Sequence, residues 1–448
     1  MRISGRVVID AEKAVLKADT GKFILVPYPR LTKLPDQQKE GMGAILFSYL
    51  HGCEARIEGD RNDDHLYNAR VVVDAPKKVR DVTISPEKKT RFSADIEQHF
   101  KQDGAQIATR LNFAGIFTIS AFYHRLKGMA GEVPAMSRYL GVPETSIQHF
   151  IKGMEEDQKN SALVAAPLRI PVAHGVNVKR LLSERGVRAT RKSRSTPPTF
   201  PEADKTPNLP SAVDHRKSVT GVRSQGYRGT CVAHTAAAML EHELVRTKSA
   251  NRRLDLSEQY LYWACKQKDG AENEEGTFIE YAVEVLKSGV LLGQAPGTCK
   301  EAEWKYNQVP IEGNEGQGPP PSRAQNAQRF KIRGYKKVQH NSIAELKSAL
   351  AEGHCVGLSV FTYHFWNDGY TSREGIISLP VGIPPDGAHA ICLVGYEDAD
   401  DNHTDGYFLF KNSWSPLWGA TRKKDPGFGS LPYRYVINEA IEAWFIEL

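Results

Sequence analysis

Gln225-Gly226-Tyr227-Arg228-Gly229-Thr230-Cys231 leads directly into an apolar helical pattern that runs from Val232 through Val245. A cysteine at a helix start meets unpaired backbone amides and the positive end of the helix dipole. Both favour thiolate over thiol, the condition for a cysteine nucleophile. The position alone proves little, because an isolated cysteine ahead of a helix is more often a buried small residue. Three further features give it weight. Gln225 stands on a Gly-bracketed turn, where its side-chain amide could join the Cys231 backbone N–H in stabilising an oxyanion. Downstream, Asp386-Gly387-Ala388-His389-Ala390-Ile391-Cys392-Leu393-Val394-Gly395-Tyr396 puts a histidine at the mouth of an apolar, strand-like run, where it could serve as the base. A second strand, Tyr407-Phe408-Leu409-Phe410-Lys411, ends in Asn412-Ser413-Trp414. The Asn412 amide could hold the imidazole tautomer, and the Trp414 indole could keep water off that bond. A nucleophile, a base, an orienting group and an oxyanion donor are thus expected from Cys231, His389, Asn412 and Gln225.

Gln225-Gly226 with Cys231, Leu256-Ser257-Glu258-Gln259, the Gly387 to Tyr396 histidine strand and Lys411-Asn412-Ser413-Trp414 follow one another as four ordered motifs. Over about Leu209 to Leu448 they resemble the papain family of cysteine peptidases, in which the order is also Cys, His, Asn. The longer separations in this chain are explained by polar, loop-like additions at Gly313 to Pro321 and Asp398 to Thr404. The resemblance implies an α+β fold of two lobes, a mainly helical one holding Cys231 and a β-rich one holding His389 and Asn412, with the cleft between them. It also implies hydrolysis of a polypeptide through a Cys231 acyl-enzyme without a cofactor or a metal. Gly276 matches the glycine of the cleft wall that lets substrate backbone approach, and Trp414 joins it on the substrate side. His234, His242 and His364 are expected to be ordinary helix or surface histidines.

The departures from the pattern are specific. Val232 follows the nucleophile where the family usually has an aromatic, Arg228 stands where it has a disulfide cysteine, and Ser415 replaces the glycine after the tryptophan. None removes a proton-transfer or charge-stabilising group, so substrate preference is affected more than chemistry. Cys265 and Cys299 lie near family disulfide positions and are read as free thiols. The acyl-enzyme is common to hydrolysis and to acyl transfer onto an amine, so the second activity stays open as an alternative. A non-enzymatic adaptor for protein or nucleic acid on the same fold is the other alternative.

The 448 residues exceed what one core holds and suggest roughly three domains at about 150 residues each. Hydrophobic residues at 40% and charged residues at 25% argue for a folded, soluble chain. The longest apolar runs fall short of the roughly 18 residues a membrane helix needs. The opening Met1-Arg2-Ile3-Ser4-Gly5-Arg6 lacks a secretory leader, so the expected compartment is cytoplasmic and reducing. Six cysteines without a C-x-x-C pair argue against a disulfide scaffold or structural zinc. His242-Glu243-Leu244-Val245-Arg246 begins like a zinc-protease helix motif but has Arg246 where the second histidine belongs, and the Asp400, Asp401, Asp405 group does not fit a calcium loop.

The formal charge of +6 is unevenly spread: residues 1–200 hold 32 Lys+Arg against 22 Asp+Glu, and residues 161–200 alone hold eight basic residues and one acidic. Arg188, Arg191, Lys192 and Arg194 precede Pro197 and Pro198, so 166–207 reads as a basic, extended linker open to proteolysis. The expected organisation is a small OB-like β-barrel over 1–80, a helical module resembling helix-hairpin-helix over 90–165, the linker, and the peptidase domain over 208–448. Strands are expected at Arg6-Ile9, Phe23-Val26, Ala44-Phe47, Glu54-Glu58 and Arg70-Val73. Ile96, Phe100, Ile107 and Leu111 share a helical face. Seven basic and seven acidic residues over 91–156 leave no electrostatic footprint for nucleic acid, so a helical interaction domain is the favoured reading; residues 1–205 are expected to be regulatory or targeting modules, with a protein partner or intramolecular inhibition both left open.

Overall fold

In the computed structural model of the chain, the described residues are 2–10, 13–19, 21–27, 54–62, 65–71, 86–100, 104–128, 131–160, 175–176, 209–290, 295–398, 406–420 and 425–448. β1 (Arg2–Asp10), β2 (Lys13–Ala18), β3 (Gly21–Pro27), β4 (Glu54–Asn62) and β5 (His65–Val71) close into a barrel in the order β1-β2-β3-β5-β4. β3 and β5 pair in parallel, and the remaining neighbours are antiparallel. β2 has no counterpart among the expected strands; its Leu16 is buried and its Lys17 exposed, an alternation too short to stand out. The expected Ala44 to Phe47 strand lies outside the described residues, as do Cys53, most of the basic linker and the 399–405 part of the second insertion.

Five helices follow: α1 (Pro86–Phe100), α2 (Gly104–Phe113), α3 (Ile119–Gly128), α4 (Glu132–Leu140) and α5 (Glu144–Asn160). Ile96, Phe100, Ile107 and Leu111 enter one core with Phe122, Met136, Leu140 and Phe150. The two glycine turns spend their amides locally. Gly115 N–H donates to Asn112 O at 3.0 Å and Ile116 N–H to Leu111 O at 2.9 Å, while Gly141 N–H and Val142 N–H both donate to Ser137 O. Phosphate recognition by these amides, the property expected of a helix-hairpin-helix turn, therefore has no donors to draw on there.

This helical unit is stitched to the C-terminal domain. The Arg125 guanidinium, 1% exposed, pairs with Glu132, donates to Ser378 Oγ at 2.8 Å and to Leu379 O at 3.2 Å, and lies 3.7 Å over the Phe365 ring. Leu379 N–H donates to Ala114 O at 2.9 Å. A buried guanidinium must be satisfied by fixed acceptors, so these bonds set one docking geometry.

The C-terminal domain comprises β6 (Ala212–Asp214), α6 (Cys231–Arg246), α7 (Glu258–Asp269), α8 (Ile279–Ser288), β7 (Gly334–Val338), α9 (Ile343–Ala351), β8 (Val356–Thr362), β9 (Gly387–Glu397), β10 (Tyr407–Lys411), β11 (Phe428–Pro432), α10 (Tyr433–Glu439) and β12 (Ala440–Glu447). Its sheet runs β11-β10-β9-β8-β12-β7, with β6 also on β9. α6 is buried from Cys231 to Glu243, as a helix between other layers must be, and its run Ala236-Ala237-Ala238 keeps it thin where it crosses the sheet. Ser257 caps α7 by accepting from Tyr260 N–H at 3.1 Å, and Gly270 ends it in the left-handed conformation at φ 67. β9 is buried from Gly387 to Tyr396 because β8 and β10 flank it and α6 covers it. The two lobes expected from the resemblance are thus α6 to α8 on one side and the sheet on the other. No helix among the described residues is long and apolar enough to cross a membrane.

Candidate active site

Cys231 is the first residue of α6, and its sulfur accepts from Ala390 N–H at 3.2 Å. The nucleophile therefore touches β9 one residue beyond His389. His389 Nε2–H donates to Asn412 Oδ1 at 2.8 Å, which fixes the tautomer and leaves Nδ1 as the nitrogen for proton transfer. Trp414 stacks on the imidazole with centroids 4.4 Å apart, and Trp366 meets its edge at 6.1 Å. Cys231, His389 and Trp414 are all buried, and Asn412 is nearly so.

Gln225 sits beneath the nucleophile loop. Its N–H donates to Ser413 O at 2.8 Å, its Oε1 accepts from Ser413 Oγ at 2.6 Å, and its Nε2 donates to Arg228 O at 2.9 Å. The residue after Asn412 thus holds the carboxamide from the oxygen side and turns Nε2 toward the Cys231 loop. Sequence spacing brings Gln225, Cys231, His389, Asn412 and Trp414 together as expected. Trp414 reaches the imidazole rather than an open wall of the cleft.

Gly276 differs from expectation. Its N–H donates to Tyr262 Oη at 3.0 Å and its carbonyl accepts from Lys266 Nζ at 2.8 Å, so both backbone groups are consumed by α7. The left-handed φ of 82 at Gly276 turns the next residue outward, and Thr277 N–H is the donor that faces the cleft.

That donor is occupied by the chain itself. Thr277 N–H donates to Gly175 O at 3.1 Å, Val176 N–H donates to Ala388 O at 3.3 Å, and Val176 bridges Thr277 in parallel. Gly175 N–H also points at the Cys231 sulfur. A Cβ at Gly175 would come within 2.7 Å of that sulfur and 2.5 Å of Gly229 O, so only glycine fits. Burial pushes the Cys231 thiol up to about 12, against the N–H groups of Ala390, Gly175 and Val232 that pull it down. The helix start expected to favour thiolate is present, yet desolvation wins while the segment is in place.

Arg228 is the group that sequence reasoning passed over as a mere departure. It is fully buried, donating from Nη1 to Gln259 Oε1 at 2.7 Å and Asn307 O at 2.8 Å, and from Nη2 to Glu315 O at 2.7 Å. It ties the nucleophile loop to α7 and to the 313–321 insertion, the tether a disulfide at this position would otherwise supply. Cys265 and Cys299 are free, buried thiols. His234 and His242 are buried rather than on the surface, and burial lowers them to about 3 and about 4; His364, also lowered to about 4, packs against Glu132 and Arg125. A second missed set surrounds Arg223, which pairs with Glu241, Asp255 and Glu258 behind the site.

Residues 209–422 match the family model described as papain family cysteine protease. Caricain from Carica papaya is 32% identical over 221 residues, covering 48% of this chain and 54% of that protein. Papaya proteinase 4, also from Carica papaya, is 31% identical over 216 residues, 47% of this chain and 54% of that protein. The chain thus spans about half the length of the curated relatives it matches. Among solved structures, xylellain, a cysteine protease from Xylella fastidiosa, is similar with a TM-score of 0.46 and 27% identity, covering 56% of this chain and 90% of that one. The stretch similar to papain family cysteine proteases, residues 209–422, carries Gln225, Cys231, His389 and Asn412.

Proposed function

We propose that the chain is a thiol endopeptidase whose N-terminal part holds it latent through residues 175–176. The observation that carries the reading is the Cys231 sulfur at the start of α6 against β9, one residue from an imidazole oriented by Asn412. Once Gly175 withdraws, Cys231 passes its thiol proton to His389 Nδ1, the thiolate attacks a peptide carbonyl carbon, and the oxyanion takes hydrogen bonds from Gln225 Nε2 and the Cys231 N–H. His389 Nδ1–H gives its proton to the leaving amine, and the neutral ring then draws a proton from water as that water attacks the thioester. Asn412 keeps the ring in register, and Trp414 shields the bond between them.

The covering segment is not in a cleavable pose. An amide N–H, not a carbonyl carbon, faces the sulfur at Gly175, so the bond-forming trajectory has no electrophile. Residues 175–176 fall inside the 166–207 stretch expected to be extended linker, but are buried in the cleft; cleavage between them and residue 209 would let them leave. A reducing, cytoplasmic setting goes with this reading, since Cys265 and Cys299 are buried as thiols.

The test is a mixed peptide library read by mass spectrometry with the intact chain, the chain nicked within 177–208, and Cys231→Ala. Cleavage that appears on nicking and is absent in Cys231→Ala is the expected result. No Cys231-dependent cleavage in either form overturns the peptidase reading in favour of an adaptor. Products that carry an added amine instead of water identify an acyl transferase.

A further inference from the structure

The cleft already contains a peptide backbone, and it shows which walls any other backbone would meet. Gly175 lies between Gly229 of the nucleophile loop, Thr277 of the α7–α8 connection and Ala388 at the start of β9. Gly229 to Cys231, Gly276 to Ile279 and Gly387 to Tyr396 are buried, whereas Glu272 to Glu275 are exposed. A side chain leaving a backbone held at the sulfur therefore reaches solvent along Glu275. The carboxylate is close to that path: a Cβ on Gly229 would lie 2.6 Å from Glu275 Cγ and 3.0 Å from Oε1, and Gly229 N–H donates to the carboxylate. Gly229 is two residues before the nucleophile. The inward turn of Gly276, locked by Tyr262 and Lys266, holds Glu275 at this edge.

The carboxylate has no close ion pair among the described residues, and Arg228 acts on it only at longer range. Among the described residues no lysine or arginine forms an ion pair with Glu275, and the nearby Arg228 spends its Nη donors on Gln259, Asn307 and Glu315 O. Partial burial, with Glu315 nearby, holds the Glu275 carboxyl above its usual range although the Gly229 N–H and the more distant Arg228 pull it down, so an incoming cation would favour its charged form.

Resting on the peptidase reading above, we propose that Glu275 selects a lysine or arginine side chain on the residue that supplies the carbonyl attacked by Cys231. The chain's own 188–194 stretch, with Arg188, Arg191, Lys192 and Arg194, is a substrate of this class. A guanidinium or ammonium on that residue forms a charge-assisted hydrogen bond with Glu275 in a partly desolvated site. A glutamate there meets like charge, and a leucine gains no such bond.

The experiment uses the full chain carrying Gly175→Ala, reacted with three peptidyl acyloxymethyl ketones that differ only in an Arg, Leu or Glu terminal residue. The rate of Cys231 adduct formation is followed by peptide mapping. Should Gly175→Ala misfold, the wild-type chain over longer reaction times gives the same ratios. The Arg probe is expected to exceed the Leu probe by about tenfold or more. Glu275→Gln is expected to collapse that ratio toward unity, and Glu275→Arg to reverse the order of the Arg and Glu probes. A merely structural role for Glu275 changes all three rates together and leaves the ratio intact. Equal rates for Arg and Leu in the parent, or a ratio that survives Glu275→Gln, overturn the inference. Library cleavage in the same protein separates the two readings. Cleavage without basic preference refutes the selectivity alone, selective labelling without cleavage refutes the peptidase alone, and neither labelling nor cleavage refutes both.

Discussion

Replacing Gly175 by alanine tests the proposed latent state directly. The added Cβ would lie 2.5 Å from both C and O of Gly229 and 2.7 Å from the Cys231 sulfur, separations that no packed methyl tolerates. Backbone on one side and a buried sulfur on the other leave nothing flexible to give way, so the segment must lift. Overpacking of this kind costs about 1–3 kcal/mol. Lifting also weakens the hydrogen bonds from Thr277 to Gly175 and from Val176 to Ala388, each contributing about 1 kcal/mol. A net shift of about 3 kcal/mol against the covered state corresponds to roughly a hundredfold change in its equilibrium. Uncovering also lets water reach the thiol and lessens the desolvation that raises it, so the thiolate fraction near neutral pH rises in the same direction. Iodoacetamide labelling of Cys231 in the intact chain is therefore expected to accelerate by about a hundredfold in Gly175→Ala. Cys265, Cys355 and Cys392, buried elsewhere, serve as internal controls whose rates stay constant. Labelling of Cys231 no faster than in the parent, or faster in step with the control thiols, refutes the reasoning.

Gln225→Ala in the nicked chain should lower kcat by about 10²–10³ while leaving Cys231 labelling intact, as expected for loss of one oxyanion donor. A proportional loss of labelling would mean that Gln225 only supports the loop. Arg228→Met should lower the chemical-denaturation free energy by about 3 kcal/mol or more, because Gln259 Oε1, Asn307 O and Glu315 O lose a charged donor; a change under about 1 kcal/mol contradicts the tether role. Burial raises both Glu258 and Glu301 above their ordinary value of 4.5, so the folded state binds their protons more tightly than the unfolded chain does. That stabilisation is full below pH 4.5 and is lost as pH rises from there through neutrality, and Glu301→Gln should flatten the slope in urea melts across that range. An unchanged slope would show that Glu301 is not the titrating group.

Groups whose work is local were legible in the sequence. Cys231 at a helix start, His389 at a strand mouth and Asn412 at the end of the next strand each follow from a pattern of a few residues, and strand pairing between β9 and β10 then brings His389 and Asn412 to 2.8 Å. The Ser413 contact to Gln225 spans most of the domain, yet both residues sit in motifs that were singled out. What escaped depends on partners that no local pattern names. Arg228 reads from sequence only as the place of a missing disulfide cysteine, and three acceptors from separate segments make it a buried hub. Gly276 was read for its missing side chain, whereas Tyr262 and Lys266, one and two turns along α7, decide that its backbone faces inward. His234, His242 and His364 read as ordinary because a histidine's burial is set by what packs over it. β2 and the covering role of Gly175 fell below notice for the same reason: neither forms a run long enough to register.

The helical unit and the catalytic imidazole share one wall. Trp366, on the connection between β8 and β9, packs against the edge of His389 at 6.1 Å and against Trp414 at 6.0 Å, and its Nε1 donates to Tyr435 Oη at 2.7 Å. The adjacent Phe365 lies beneath Arg125, and Ser378 and Leu379 farther along the same connection accept from that guanidinium. The outer side of this wall is thus held by residues 114–132 while its inner side holds the ring. These bonds do not involve residues 175–176. A cut in the basic linker frees residues 175–176 from their C-terminal connection and leaves Arg125, Glu132 and Ala114 in place. On the proposed latent state, opening the cleft therefore need not loosen the support behind His389, and residues 114–132 would still buttress the imidazole once Gly175 has withdrawn.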